Sequence, residues 1–310
     1  MSLNIVKSVF QNLNNGNNWS LQLLNITTSK RTGTSYSSRQ IILSPPERFT
    51  KLLTDISNIY TGNGKKSLDL IREVREYDGT TDALTIYKLD ASNNLISSEY
   101  ENFVQQIADP DSENDPFEYT SAYLITGQLK TNDEDFLIKL VSMQNPVTTL
   151  KHKFLHNKGT FVELTDKVLS LRPTMDLLIV NSTVYFLTLS GENLFNMARS
   201  YKAVCQQKVT SIEQAGIISG FDEFRVVAGS GHNPRRFVGF SESRLTALKR
   251  KNTRLSMSKQ FNIPLDATGE KFDASVEGAA EKIVKLLCNK GMVDPFEKNA
   301  VEVDGARQWR

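Results

Sequence analysis

The chain has 310 residues, 39% hydrophobic and 23% charged, with a net charge of +2. Such values are ordinary for a globular protein of one large or two modest domains with a sizeable core, and so small a net charge says nothing about partners unless it is unevenly spread. Two cysteines, Cys205 and Cys288, exclude a disulfide scaffold; both fall in apolar helical patterns and read as buried free thiols in a reducing cytosol.

Residues 1–45 read as strands and loops, with a turn at 14–18, a half-buried strand carrying Trp19, Leu21 and Leu23, and a polar loop over 30–38. The N-terminus lacks the apolar core of a signal peptide, and the longest nearly uncharged apolar stretch, 177–189, is too short to cross a bilayer. After Pro45-Pro46 a helix is expected from Glu47 through Tyr60, followed by a linker over 62–66 that lacks Walker spacing. A short helix is expected over 67–76, a strand over 84–89 and a helix over 95–107. The acidic stretch 108–118 alternates carboxylates as a calcium loop does, but its glycine and closing glutamate are misplaced, so a solvated loop is expected. Residues 119–130 and 135–143 read as two strands joined by a turn over 131–134, and 152–164 continues in the same manner.

The organising stretch runs from 171 to about 212. Leu177, Leu178, Ile179 and Val180, then Thr183 through Leu187, are two β-prone runs split by Asn181-Ser182, a hairpin in which Asn181 takes the left-handed position. Ser190 is expected to cap a long helix with a broad apolar side that includes Phe195, Ala198, Cys205, Val209 and Ile212. A short piece over 221–227, a loop over 229–234, a helix-rich basic segment over 235–259 and an amphipathic helix over 276–288 follow. The fold class is therefore α+β: a strand-rich part over 1–165 with a few helices, then a mainly helical part over 166–310 that includes the hairpin.

The basic segment is the most uneven feature. Arg235, Arg236, Arg244, Lys249, Arg250, Lys251, Arg254 and Lys259 stand against the single acid Glu242, a net charge of +7 over 25 residues. Leu245, Leu248 and Leu255 occupy one narrow arc, so a helix anchored by its leucines would present cations outward. That is the pattern of a phosphate-backbone contact, which lowers free energy by counterion release and is indifferent to sequence. A solvated helix face is the plainer alternative. A weaker basic patch combines Lys151, Lys153 and Lys158 with His152, His156 and Phe154; a strand edge guarded by lysines is the plainer reading there.

Enzymatic signatures are thin. Only three histidines occur, His152, His156 and His232, and neither a metal-binding spacing on a helix nor a nucleophile motif is present. Asp133, Glu134 and Asp135 cluster in a turn, a poor setting for a metal-dependent nuclease. A helix-turn-helix over 207–225 would aim Asp222 and Glu223 at phosphates. No catalytic residue, cofactor or metal is assigned.

The order of segments resembles a known family. HNKGTFVEL leads to MDLLIVNSTVYFL and NLFNMARSY, then to FRVV, RRF and LKRK, and finally to EKIVKLLCNKGMVDPFEKNAVEV. Over residues 150–305 this is similar to the KwaB component of the Kiwa bacterial anti-phage system. The resemblance implies a cytosolic defence component that works beside a small transmembrane partner, KwaA. It would be held at the inner membrane in an oligomeric complex, and would bind phage DNA and hinder replication and expression without an established cleavage step. It carries over no residue motif, so the DNA contacts at Arg235, Arg236, Arg244, Lys249, Arg250, Lys251 and Arg254 are placed by charge. Metal-dependent nuclease activity, or a scaffold contacting anionic lipid or an acidic partner, are the alternatives.

Overall fold

A computed structural model describes residues 3–29, 33–61, 70–73, 85–108, 110, 120–130, 135–149, 153–157, 159–164, 167–288, 290–293 and 300–302. The chain starts with helix α1 (Leu3–Gln11), where strand and loop were expected. Its helical face is fixed by Val6, Val9 and Phe10, with Leu13 just beyond, all at most 2% exposed. Strand β1 (Asn17–Ser29) pairs with β2 (Gly33–Ile41) antiparallel. The expected polar loop over 30–38 is thus largely strand: Thr34, Tyr36 and Ser38 alternate inward, and the Tyr36 hydroxyl donates to the Leu194 carbonyl at 2.6 Å. An inward-facing polar residue was read as loop because hydropathy does not show that its polar atom finds a partner.

Helix α2 (Glu47–Tyr60) forms as expected. The predicted helix over 67–76 is corrected where it can be seen: Leu70–Glu73 is strand β3, and the rest lies outside the described residues. Strand β4 (Thr85–Asp90), helix α3 (Ser97–Gln106), and strands β5 (Ala122–Lys130) and β6 (Asp135–Ser142) follow. The turn over 131–134 and the acidic carboxylates Asp109, Asp111, Glu113, Asp115 and Glu118 lie outside the described residues, although Lys130 pairs with Asp135 across the β5–β6 hairpin. Short strands β7 (Val147–Thr149) and β10 (Lys167–Leu169) pair with each other, and β8 (Lys153–Asn157) pairs with β9 (Thr160–Leu164). The patch of Lys151, Lys153, Lys158, His152, His156 and Phe154 falls on residues, or side chains, outside the description.

The hairpin forms as read: β11 (Leu177–Val180) and β12 (Thr183–Phe186) pair in register around Asn181 at φ 53°. The main sheet has eight strands in the order β2-β1-β5-β6-β11-β12-β4-β3, antiparallel in every pairing from β2 through β4. The hairpin is therefore part of the N-terminal sheet. The chain forms two compact units: Met1–Arg72 with Thr81–Met197, and Glu73–Thr80 with Ala198–Arg310.

In the first unit, α1 and α2 cover one sheet face, packing Val6, Phe10, Ile56 and Tyr60 against Leu23, Tyr123, Leu140 and Leu178. The other face is covered by α3 and a 3₁₀ segment, Leu189–Phe195, with Phe103 edge-on to Tyr36 and Phe195 edge-on to Phe103 and Phe186. Burial on both faces explains why all four residues of β11 are apolar instead of alternating. Helix α3 also closes the outer edge of β2: Gln106 Oε1 accepts from the Tyr36 amide at 2.5 Å, and Asn102 donates to the Thr34 carbonyl at 2.6 Å.

The helix expected to begin at Ser190 starts at Met197 instead (α4, Met197–Ala215). Gly191 lies so close to β11 that a Cβ there would sit 2.7 Å from Leu177 Cγ. The chain crosses that strand as a tight 3₁₀ turn and leaves it through Asn196, left-handed at φ 47°. Thr188, not Ser190, precedes the turn, and its hydroxyl donates to the Asp176 carboxylate.

The second unit is mainly helical. After α4 come β13 (Ile218–Ser219), α5 (Phe221–Ala228), α6 (Asn233–Arg236), α7 (Glu242–Leu248), α8 (Lys251–Phe261), β14 (Phe272–Asp273) and α9 (Ala279–Leu287). Strands β15 (Gly291–Val293) and β16 (Ala300–Glu302) pair at the end. Its core gathers Cys205, Val209 and Ile212 of α4 with Phe224, Leu245, Leu248, Ile283 and Leu287. Both cysteines are free and buried there.

Candidate nucleic-acid interface

The basic segment is not one helix. It is divided among α6, a 3₁₀ turn over Phe237–Gly239, α7 and α8. Leu245 and Leu248 anchor α7 in the core, while Leu255 is only half-buried. The breaks distribute the cations among different jobs.

Arg235 is 8% exposed, its guanidinium 5.3 Å over the Tyr201 ring. Arg236 donates to Glu281 at 2.7 Å and to Asn233 at 2.8 Å, and Asn233 also donates to Glu281, so α6 is joined to α9 through one carboxylate. Arg244 donates to the Leu286 carbonyl at 2.9 Å, near the end of α9. Arg254, 9% exposed, donates to the carbonyls of Leu248 at 2.7 Å, Lys249 at 2.8 Å and Glu270 at 2.7 Å. Arg254 thus caps the end of α7 and holds the loop before β14.

Lys249, Arg250 and Lys251 remain outward as three consecutive exposed cations at the α7–α8 junction. Arg250 is extended at ψ 126° while Lys251 begins a new helix, so the three exposed cations form a short ridge at the junction of the two helices. Among the described residues, Lys249 and Arg250 have no side-chain partner, and Lys251 meets Glu270 at 2.9 Å. Lys259 is exposed in the last turn of α8, where a cation suits the helix dipole. The sequence-predicted set therefore separates into a framework of four arginines and an accessible ridge of three. The run of charge gave no sign of that division, because burial of an arginine depends on carbonyls and rings from distant segments. Tyr201, Glu270 and Glu281 were not legible as partners for the same reason.

Among the described residues, no group of three or more His, Cys, Asp or Glu side chains could hold a metal ion. Burial pushes the Cys205 thiol up to about 11 and the Cys288 thiol to about 12, which suppresses the nucleophilic thiolate. His232 precedes α6 and is exposed.

Comparison with known proteins gives the context. A family model described as "Kiwa protein KwaB-like" matches residues 118–293, more than half of the chain. The chain belongs to the KwaB-like family. The match spans β5 and β6, the hairpin and the helical unit through β15, so the basic ridge lies within the family region. Membership in the KwaB-like family supports a role in Kiwa anti-phage defence. No curated protein and no solved structure matches the chain significantly. Among the described residues, no helix is long and apolar enough to cross a membrane.

Proposed function

We propose that this chain acts in Kiwa defence by binding phage DNA through the phosphate backbone, without base-specific readout, and so hinders replication and expression. It works without a catalytic step, as an oligomer held at the inner membrane by the small transmembrane partner KwaA. The observation that carries the DNA reading is the ridge of Lys249, Arg250 and Lys251, exposed and consecutive where Arg235, Arg236, Arg244 and Arg254 are engaged in the fold. Exposed cations at a helix junction can contact phosphates while reading no base edge, so they favour no one base over another. Three neutralised phosphates contribute about −2.7 to the slope of log K against log salt.

The test is binding of the purified protein to unrelated duplexes at two salt concentrations, with a magnesium lane to reveal cleavage. Salt-sensitive, sequence-indifferent binding of intact DNA is expected. Arg250→Glu with Lys251→Glu should weaken it more than tenfold while leaving circular dichroism unchanged. Unchanged affinity in the folded double variant refutes the ridge as the interface. Cleavage restores the nuclease alternative, and preference for anionic vesicles over DNA restores the scaffold alternative.

A further inference from the structure

Glu270 is placed with more care than a surface carboxylate requires. Its backbone is pinned from two sides. Asp266 Oδ1 accepts from the Glu270 amide at 2.9 Å and the Lys271 amide at 3.2 Å, while the Asp266 amide donates to the Lys271 carbonyl at 2.9 Å. Gly269, left-handed at φ 68°, lets the loop turn back. From the other side, Arg254 donates through Nε to the Glu270 carbonyl, and the same guanidinium grips the last carbonyls of α7. One buried arginine therefore fixes the ridge and the acid beside it in a single frame. The Glu270 carboxylate reaches solvent: its side chain is 55% exposed, and it meets Lys251 Nζ at 2.9 Å.

Resting on the DNA reading, we infer that Glu270 is an internal counter-charge on the ridge, a phosphate mimic that occupies Lys251 until a polyanion displaces it. An exposed pair of this kind is held weakly, so a single phosphate or a chloride gains little by replacing it. A nucleic-acid strand, whose phosphates reach Lys249 and Arg250 together with Lys251 and release several counterions, gains much more. The pair thus favours long polyanions over free phosphate or mononucleotides, and it sets the affinity of the ridge from within the chain.

The experiment is a double-mutant cycle on duplex DNA binding at low salt. Glu270→Gln retains the backbone carbonyl that Arg254 uses and removes only the charge. It should tighten binding about two- to fivefold, the range by which an exposed pair holds its partner, and the gain should shrink as salt rises. Combined with Lys251→Ala, the same substitution should give no gain, because the cation it releases is gone. An equal gain in both backgrounds reduces Glu270 to a general contribution to net charge and overturns the inference. No gain in a wild-type protein that does bind DNA overturns it as well. Absence of DNA binding by the wild type refutes the reading beneath it, and the inference falls with it. Inorganic phosphate as competitor supplies a second reading: it should compete more effectively against Glu270→Gln than against wild type, and equal competition counts against the mimic.

Discussion

Arg254 is the residue on which the architecture of the ridge depends, and its replacement can be worked through. Arg254→Met keeps an unbranched stem of similar length and removes the guanidinium. Three acceptors then lose their donors: the carbonyls of Leu248, Lys249 and Glu270. The Leu248 bond is buried, and an acceptor left unsatisfied there costs about 1–3 kcal/mol. The other two are partly buried and can regain water, so each loss is about 0.5–1.5 kcal/mol. Against this, removing a charge that is 9% exposed recovers part of its desolvation cost. The net is about 3 kcal/mol lost from the second unit, on the order of a hundredfold in a local opening equilibrium. Hydrogen exchange is the suitable assay, because it reads α7, α8 and the loop before β14 separately from the sheet. Amides of α8 and of the loop should exchange on the order of a hundredfold faster, while those of β5, β6 and β11 keep their protection. Arg254→Lys should behave nearly as badly, since one ammonium cannot span three carbonyls held by a planar fork. A loss below about 0.5 kcal/mol for both variants would refute the reasoning, showing that the carbonyls rehydrate freely and that the fork holds nothing.

Two further outcomes follow from packing and ionisation. Gly127→Ala should cost about 1–3 kcal/mol, because a Cβ there would fall 2.1 Å from Trp19 Cε3; a denaturant midpoint equal to wild type refutes that contact. Alkaline pH should destabilise the fold. The thiols of Cys205 and Cys288, ordinarily near 9.0, rise to about 11 and about 12, and burial also raises the phenols of Tyr36, Tyr60 and Tyr123. The unfolded chain therefore releases protons from about pH 9 upward that the folded chain still holds. Stability is full below that point and falls as pH climbs toward 11–12. Urea midpoints measured across this range should decline, first in the unit that holds the thiols, and a flat profile refutes the burial of these groups.

The hairpin at 177–186 was legible because two apolar runs and a left-handed-tolerant Asn181 agree at every level, from propensity to register. Helix α2 was legible for the same reason. Strand β2 was hidden because its inward residues are Thr34, Tyr36 and Ser38; the hydroxyls of Tyr36 and Ser38 are answered by carbonyls far away in sequence, Leu194 and Ile107. Helix α1 was missed because the asparagine-rich stretch after it dominates the local reading. The start of α4 was misplaced because the close approach of Gly191 to Leu177 is a tertiary fact. In the basic segment, charge identified the region, but the sorting into framework and ridge depends on which carbonyls the fold brings to each arginine.

The outer strand of the eight-stranded sheet has a further consequence. An open sheet ordinarily ends in a row of amides and carbonyls that any extended peptide can extend. Here the Tyr36 amide and the Thr34 carbonyl are already answered by Gln106 and Asn102 of α3. A visiting strand pairing with Thr34 and Tyr36 would have to evict two carboxamides. Recruitment of another protein by strand addition is thus disfavoured over this part of β2. A bare edge, by contrast, accepts almost any extended chain. A sheet edge answered in this way leaves less of itself open to chance pairing in a crowded cell.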